Sequence, residues 1–431
     1  MKLEKFKEKN NKRKLVTIFT VCCVLLLAGV FFYTTYAVFT EEKEFNVING
    51  QYQDPGDLYF AVYIDGKITN TIPAKDSGYT LDTEKSSCTN GTTMTWDNST
   101  WSASINLTNY QAGNMSRTKC TMYFIKDPTA ADFIKDLAET SEELVYDETS
   151  DNNLRYIGAN PNNYVSFNNE LWRIIGVMNN IDDGTGKKET RLKIIRDEPI
   201  GNYSWDNKAS GTGSSTSQYG SNDWSDSALQ QVLNSGAYWN RTSGECPAGQ
   251  NGITTACDFS SIGVTNEAKS MIGNSIWNLG GLSLIREAEE NFWSASTNIW
   301  YSNERGQNVY NNRPIEWTGQ IGLIYSSDFG YATSGGSTGR DTCLSISLHD
   351  WYLEGTECYN NNWLYKNSNQ WTLTSRSDDA YSVFLVGGSV TVASYNDYFP
   401  VISVFPVTYL SSNVKITSGT GSSSDPFELS L

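Results

Sequence analysis

The longest uninterrupted apolar run, Leu15 to Phe39, contains no charged side chain. At about 1.5 Å per helical residue it exceeds the roughly 30 Å hydrocarbon core of a bilayer, so the pattern predicts a transmembrane helix. Beyond it the apolar period shortens to two. Leu58 to Asp65 reads as a strand, Asp65-Gly66 as a tight hairpin turn, and Lys67 to Ile72 as the returning strand. Trp101, Ala103, Ile105 and Leu107 alternate with Ser102, Ser104, Asn106 and Thr108, and Cys120, Met122 and Phe124 share one face. Residues 45–126 are therefore expected to form a small all-β sandwich module, without the tryptophan and cysteine spacing of immunoglobulin domains.

Asp127-Pro128 opens a helical linker over 127–145, with Ala131, Phe133, Ile134 and Leu137 as its apolar stripe. From 146 to 431 the pattern predicts an α+β domain rich in antiparallel strands. Tyr164 to Val177 reads as a hairpin turning near Asn168-Asn169, and Arg191 to Arg196 as a further strand. A helix is expected after a cap at Ser225, stapled by Trp224 and Leu229, with Leu229, Val232 and Leu233 inward. Another is expected after Thr265, and a helical run over Arg286 to Glu290. Near the end, Tyr381 to Val386 and Ser389 to Ser394 form a hairpin around Gly387-Gly388. Strands at Val401 to Leu410, Asn413 to Thr417 and Phe427 to Leu431 follow.

Charge orients the first segment. Residues 1–14 carry seven bases and two acids, whereas Glu41, Glu42 and Glu44 follow the apolar run. That asymmetry predicts a cytoplasmic tail, a signal anchor at 15–39 as the membrane contact, and a single-pass cell-membrane protein with its C-terminal region outside. A cleaved signal peptide, with Thr35-Tyr36-Ala37 as its processing site, is the competing reading. The chain is −16 overall and −21 without its +5 tail, with no basic stripe after residue 14. Nucleic acid is therefore not an expected partner.

Six cysteines lie beyond the apolar run: Cys88, Cys120, Cys246, Cys257, Cys343 and Cys358. Six cysteines allow 15 disulfide pairings, and sequence proximity favours 88–120, 246–257 and 343–358. A zinc cluster lacks any C-x-x-C spacing and would draw on one histidine, His349. No nucleophile elbow, HExxH helix or phosphate-cradling loop is present. Catalysis would fall to carboxylate pairs such as Glu287, Glu289 and Glu290 or Asp378-Asp379, which read more simply as solvated acids. Asn179 to Thr190 fails the EF-hand pattern at Ile181 and Thr190. No enzyme activity, metal or cofactor is expected.

From about Asn160 onward the chain resembles a group of surface proteins from low-GC gut bacteria. The resemblance rests on Tyr164-Val-Ser-Phe-Asn-Asn-Glu-Leu-Trp-Arg-Ile-Ile-Gly-Val177, Asn202-Tyr-Ser-Trp-Asp206, Ile321-Gly-Leu-Ile-Tyr-Ser-Ser-Asp-Phe-Gly-Tyr-Ala332, Trp371-Thr-Leu-Thr374, and Asn413-Val-Lys-Ile-Thr417 with Ser424-Asp-Pro426. The C-terminal layout looks like the C-type-lectin fold of formylglycine-generating-enzyme relatives, although Val404-Phe405-Pro406-Val407 has Phe405 in place of the usual arginine. The resemblance implies a rigid scaffold whose C-terminal hairpin displays changeable side chains.

Aromatics make up 13% of residues, 25 of them Tyr, which suits an adaptable contact surface. The ring- and amide-bearing residues interleaved there are Ser375, Arg376, Asp378, Asp379, Tyr381, Ser389, Thr391, Tyr395, Asn396, Asp397 and Tyr398. They form the expected ligand face for an extracellular protein or glycan. Trp371 and Phe384 are expected in the core. The expected role is a cell-surface adhesin or receptor. A structural surface-assembly component without a discrete ligand is the alternative, and a glycan hydrolase the weakest reading.

Overall fold

The computed structural model describes residues 58–69, 71–75, 77–106, 118–207, 219–353, 356–366, 368–388 and 392–431. The expected tail, the apolar run 15–39 with its processing site, and the candidate contacts Ser389 and Thr391 lie outside them. The chain divides between Asp127 and Pro128 into two compact units.

The first unit holds β1 (Leu58–Ile64), β2 (Lys67–Thr69), β3 (Tyr79–Leu81), β4 (Ser87–Cys88), β5 (Thr93–Asp97), β6 (Ser102–Asn106) and β7 (Thr118–Lys126). Asp65 and Gly66 both take positive φ (48° and 75°), as the tight turn between β1 and β2 requires. β7 is the hub: it pairs parallel with β1 and antiparallel with β3 and β4. Its alternation buries Thr118, Cys120, Met122 and Phe124 on one face. The β5–β6 hairpin is a separate ribbon, and its Trp96 meets Phe124 edge to face at 5.4 Å. Val62, Leu81, Ala103, Met122 and Phe124 close this core. The Cys88–Cys120 disulfide joins directly paired positions of β4 and β7.

The second unit opens with α1 (Ala130–Leu137), followed by β8 (Leu144–Tyr146), β9 (Leu154–Tyr156), β10 (Tyr164–Phe167), β11 (Glu170–Asp182) and β12 (Lys188–Arg196). Next come α2 (Ala228–Asn234), α3 (Ala237–Asn240), β13 (Ser243–Pro247), β14 (Thr254–Asp258), α4 (Asn266–Met271), β15 (Ser275–Asn278) and α5 (Thr297–Glu304). β16 (Glu316–Gly319), β17 (Ile321–Gly322), α6 (Ser326–Tyr331), α7 (Arg340–Ser345) and α8 (Thr356–Asn360) lead into the C-terminal strands. Those are β18 (Asn369–Ser375), β19 (Ser382–Gly387), β20 (Val392–Asn396), β21 (Val407–Tyr409), β22 (Lys415–Ser418) and β23 (Phe427–Ser430).

A nine-stranded sheet runs β17-β21-β12-β11-β10-β23-β22, with β9 and β8 branching from β11. It is mixed, because β23 joins β10 in parallel through Val165 and Phe427. Asn168 and Asn169 are both left-handed (φ 61°), which closes the tight β10–β11 turn. β18, β19 and β20 form a separate antiparallel meander, and β13–β14 and β15–β16 are isolated hairpins. β11, β12 and β19 are buried on both faces along most of their length, so Ile174, Val177, Ile194, Phe384 and Leu385 share one core with Trp371.

Several expectations need correction. The transmembrane helix is not supported: among the described residues no helix is long and apolar enough to cross a membrane. The longest described helices have eight residues. Single-pass attachment at a cell membrane is likewise not supported by the described residues. The membrane-anchored, multidomain α+β description, with a lectin-like antiparallel domain, gives way to a mostly β-strand chain with a few short helices. Its two largest sheets both contain a parallel pair.

Smaller differences have local causes. The cap expected at Ser225 moves to Ser227, whose hydroxyl accepts the Gln230 N–H, while Asp223 caps a short 3₁₀ turn at Trp224–Asp226. Arg286 to Glu290 is not helical. There Asn291 Nδ2 donates to the Arg286 and Ala288 carbonyls, satisfying the backbone as turns. Of the strand expected over Val401 to Leu410 only β21 forms.

Candidate functional site

The described residues of the expected ligand face, Ser375 to Tyr381 and Tyr395 to Tyr398, lie at one end of the β18–β20 meander, and most of their polar groups hold that end together. Arg376 grips Asp378 with two bonds (Nε–Oδ1 3.1 Å, Nη2–Oδ2 2.7 Å) and reaches Asp379 at 3.2 Å. Asp379 also accepts the Tyr381 N–H and the Ser382 hydroxyl. Asn222, arriving from a distant loop, donates to the carbonyls of Arg376, Asp379 and Ser382 at 2.7–3.0 Å. The turn between β18 and β19 is thus fixed by one bidentate ion pair and one buried amide.

Asp397 does not face solvent. Its side chain is fully buried, its carbonyl accepts the Trp205 N–H at 2.7 Å, and its N–H donates to Tyr381 O at 2.9 Å. Burial first, then the neighbouring Asp206, pushes its carboxyl well above the usual carboxylate range. Ser375 is buried as well, so neither belongs to a contact surface.

What the structure does bring together is a ladder of rings. Tyr381 lies 4.8 Å from Tyr219, which stacks on Tyr398 at 4.9 Å. Tyr398 stacks on Phe399 at 5.0 Å, and Phe399 meets Tyr395 edge to face at 5.6 Å. Asn396 fixes the middle of the ladder, donating to the Tyr398 hydroxyl and accepting from Ser382. Tyr395 is 39% exposed and Val401, just beyond, 65%. Tyr219, Phe399 and Val401 are absent from the sequence-derived set. Tyr219 had a signal, as the lone ring at the end of a Gly/Ser/Thr stretch, but its partnership with residues some 160 positions away had none.

No protein-family model, curated protein or solved structure matches the chain. The site is therefore read from its own geometry.

A second locus was not anticipated. A cleft of about 310 Å³ opens beside β11, β12 and β15, lined in part by Lys193, Arg305, Asp328 and Tyr409. Asp328, on α6, binds Arg155 Nη1 and Lys193 Nζ, each at 2.5 Å, and Arg155 Nε reaches Asp147 at 3.0 Å. Burial pulls the Lys193 ammonium down to about 8, against the opposing pull of Asp328. Burial acts the other way on Asp328, yet Lys193 and Arg155 outweigh it and hold its carboxyl below the usual range. Glu304, buried and bonded to Ser327 and Thr374, is pushed up by desolvation.

The remaining candidates are quieter. His349 Nδ1 lies 3.1 Å from Asp350 Oδ1, with its ring against Phe292 and Trp293. Glu287, Glu289 and Glu290 are exposed. Asp182 and Asp183 accept backbone N–H groups of Gly184, Thr185 and Gly186, which closes a turn. Among the described residues no group of three or more His, Cys, Asp or Glu is placed to hold a metal ion. All three disulfides pair sequence neighbours, 88–120, 246–257 and 343–358.

Proposed function

We propose that this is a binding protein that engages an extracellular protein or glycan through the ring ladder at the end of the β18–β20 meander. The observation that carries the reading is the continuous series Tyr381–Tyr219–Tyr398–Phe399–Tyr395, with Val401 exposed two residues after Phe399 in the chain. Rings held in place by neighbours offer large apolar area at little entropic cost, and their hydroxyls supply orientation. The ladder suits the apolar face of a sugar ring or an aliphatic patch on a protein. Arg376, Asp378, Asp379 and Asn396 serve it by rigidity, since their polar groups are engaged within the fold. Three disulfides fit work in an oxidising environment.

Glycan-array and protein-panel binding of the full chain tests the reading, compared with Tyr395→Ala and Val401→Ser. Loss of either exposed apolar group should weaken the strongest ligand by roughly tenfold, the equivalent of about 1.4 kcal/mol. Unchanged affinity in both variants would remove the ladder as the contact surface.

A further inference from the structure

The cleft over Asp328 holds more hydrogen-bond donors than the described residues accept. Arg305 carries five N–H donors, yet among the described residues the one hydrogen bond its guanidinium makes is Nη1 to Tyr301 O at 3.4 Å. Its nearest carboxylates, Asp151 and Glu304, stand at 3.7 and 3.8 Å, beyond hydrogen-bond reach. Tyr301 covers one face of the guanidinium at 3.5 Å, so the donors along its edge remain the means of contact. Lys193 is 1% exposed with three donors and, among the described residues, one oxygen acceptor, Asp328 Oδ2, beside the Tyr325 ring at 4.3 Å. That oxygen also takes the Tyr325 N–H, and the other takes Arg155. Tyr409 adds a phenol to the lining, and among the described residues nothing accepts its proton.

We propose that this cleft is a second binding site, taking a sugar acid whose carboxylate is held by Arg305, Lys193 and the Tyr409 hydroxyl. An oxyanion supplies what the donors lack: several lone pairs at one point, matched to a guanidinium edge. The rim carries the opposite chemistry. Asp182 and Glu316 are acceptors there, suited to hydroxyl groups on the part of the ligand that points outward. The volume, about 310 Å³, fits one monosaccharide and little more. The site is built from residues distinct from the ring ladder, so the two readings stand or fall separately.

Calorimetric titration of the full chain with glucuronate, glucose and inorganic sulfate tests the proposal. Glucuronate should bind saturably, and glucose should not. Arg305→Lys keeps the charge and loses the fork, and should weaken glucuronate at least roughly tenfold, the worth of a charge-assisted bond. Tyr409→Phe, which removes one oxygen, should weaken it several-fold with an unchanged melting profile. Absence of saturable glucuronate binding at millimolar concentration would overturn the proposal. So would equal affinity for glucose, sulfate binding without glucuronate binding, or full affinity in both variants.

Discussion

A carboxyl group without solvent contact, with a second carboxylate beside it, ionises against both desolvation and repulsion. Asp397 is in that position, pushed up first by burial and then by Asp206. In the unfolded chain the same group ionises near pH 4. Above that pH the native state holds a proton the unfolded state has lost, so stability falls as pH rises toward the native value. Asp397→Asn keeps the shape and removes the titration. The variant should melt higher than the parent at pH 7.5, by about 2 °C or more, and show no advantage near pH 3.5. Scanning calorimetry at both pH values checks this, and an equal difference at both would show that ionisation of Asp397 carries no cost. The Arg155–Asp328–Lys193 network is the other residue-scale lesson. In the sequence, Lys193 is a polar position in a strand and Asp328 sits early in a short helix. Nothing local marks them as fully buried partners, because each charge is explained only by residues some 135 to 173 positions away.

At the scale of elements, the cross-links act where helices are shortest. α7 and α8, of six and five residues, cannot hold themselves in water. The Cys343–Cys358 disulfide ties them, with both cysteines fully buried and Trp351 Nε1 donating to the Cys343 carbonyl at 3.0 Å. Closing a loop of 15 residues stabilises by about 3 kcal/mol through the unfolded state. The Cys343→Ala/Cys358→Ala double variant should lose about that amount in urea unfolding, and a loss below about 1 kcal/mol would locate the stability of this segment elsewhere. Elements set by neighbours were readable from the sequence. The Asp65-Gly66 and Asn168-Asn169 turns, the Thr265 cap of α4 and the three cysteine pairs all depend on residues close in sequence. The parallel pairings of β1 with β7 and β10 with β23 were not, since alternation states which face is buried and not which strand lies alongside. Likewise, the described polar residues of the expected ligand face lie near one end of the β18–β20 meander. Their inward commitment, clearest in Asp397, depends on segments that arrive from 205–206 and 219–222.

For the molecule as a whole, the decisive feature is that each unit closes its own core. The first draws on Val62, Leu81, Ala103, Met122 and Phe124, and the second on residues from Ala130 to Phe427. A unit with a complete core, its own disulfides and continuous sheets satisfies the requirements for autonomous folding. Both ends of the second unit are secured within it. At its start, the Ala130 N–H donates to Val414 O, and Phe133 packs edge to face on Phe427. At its end, β23 is paired on both sides, by β10 and β22. A fragment of residues 128–431 should therefore give a single cooperative transition, with its near-ultraviolet circular dichroism preserved. Its buried tryptophans, Trp172, Trp205, Trp277, Trp300 and Trp371 among them, supply that signal from rigid surroundings. The midpoint should fall within about 4 °C of the corresponding transition in the full chain, the shift that 1–2 kcal/mol makes in a domain of this size. A fragment with strand content but no near-ultraviolet signal would mean that the second core depends on residues before 128, and the two units would then be one folding unit.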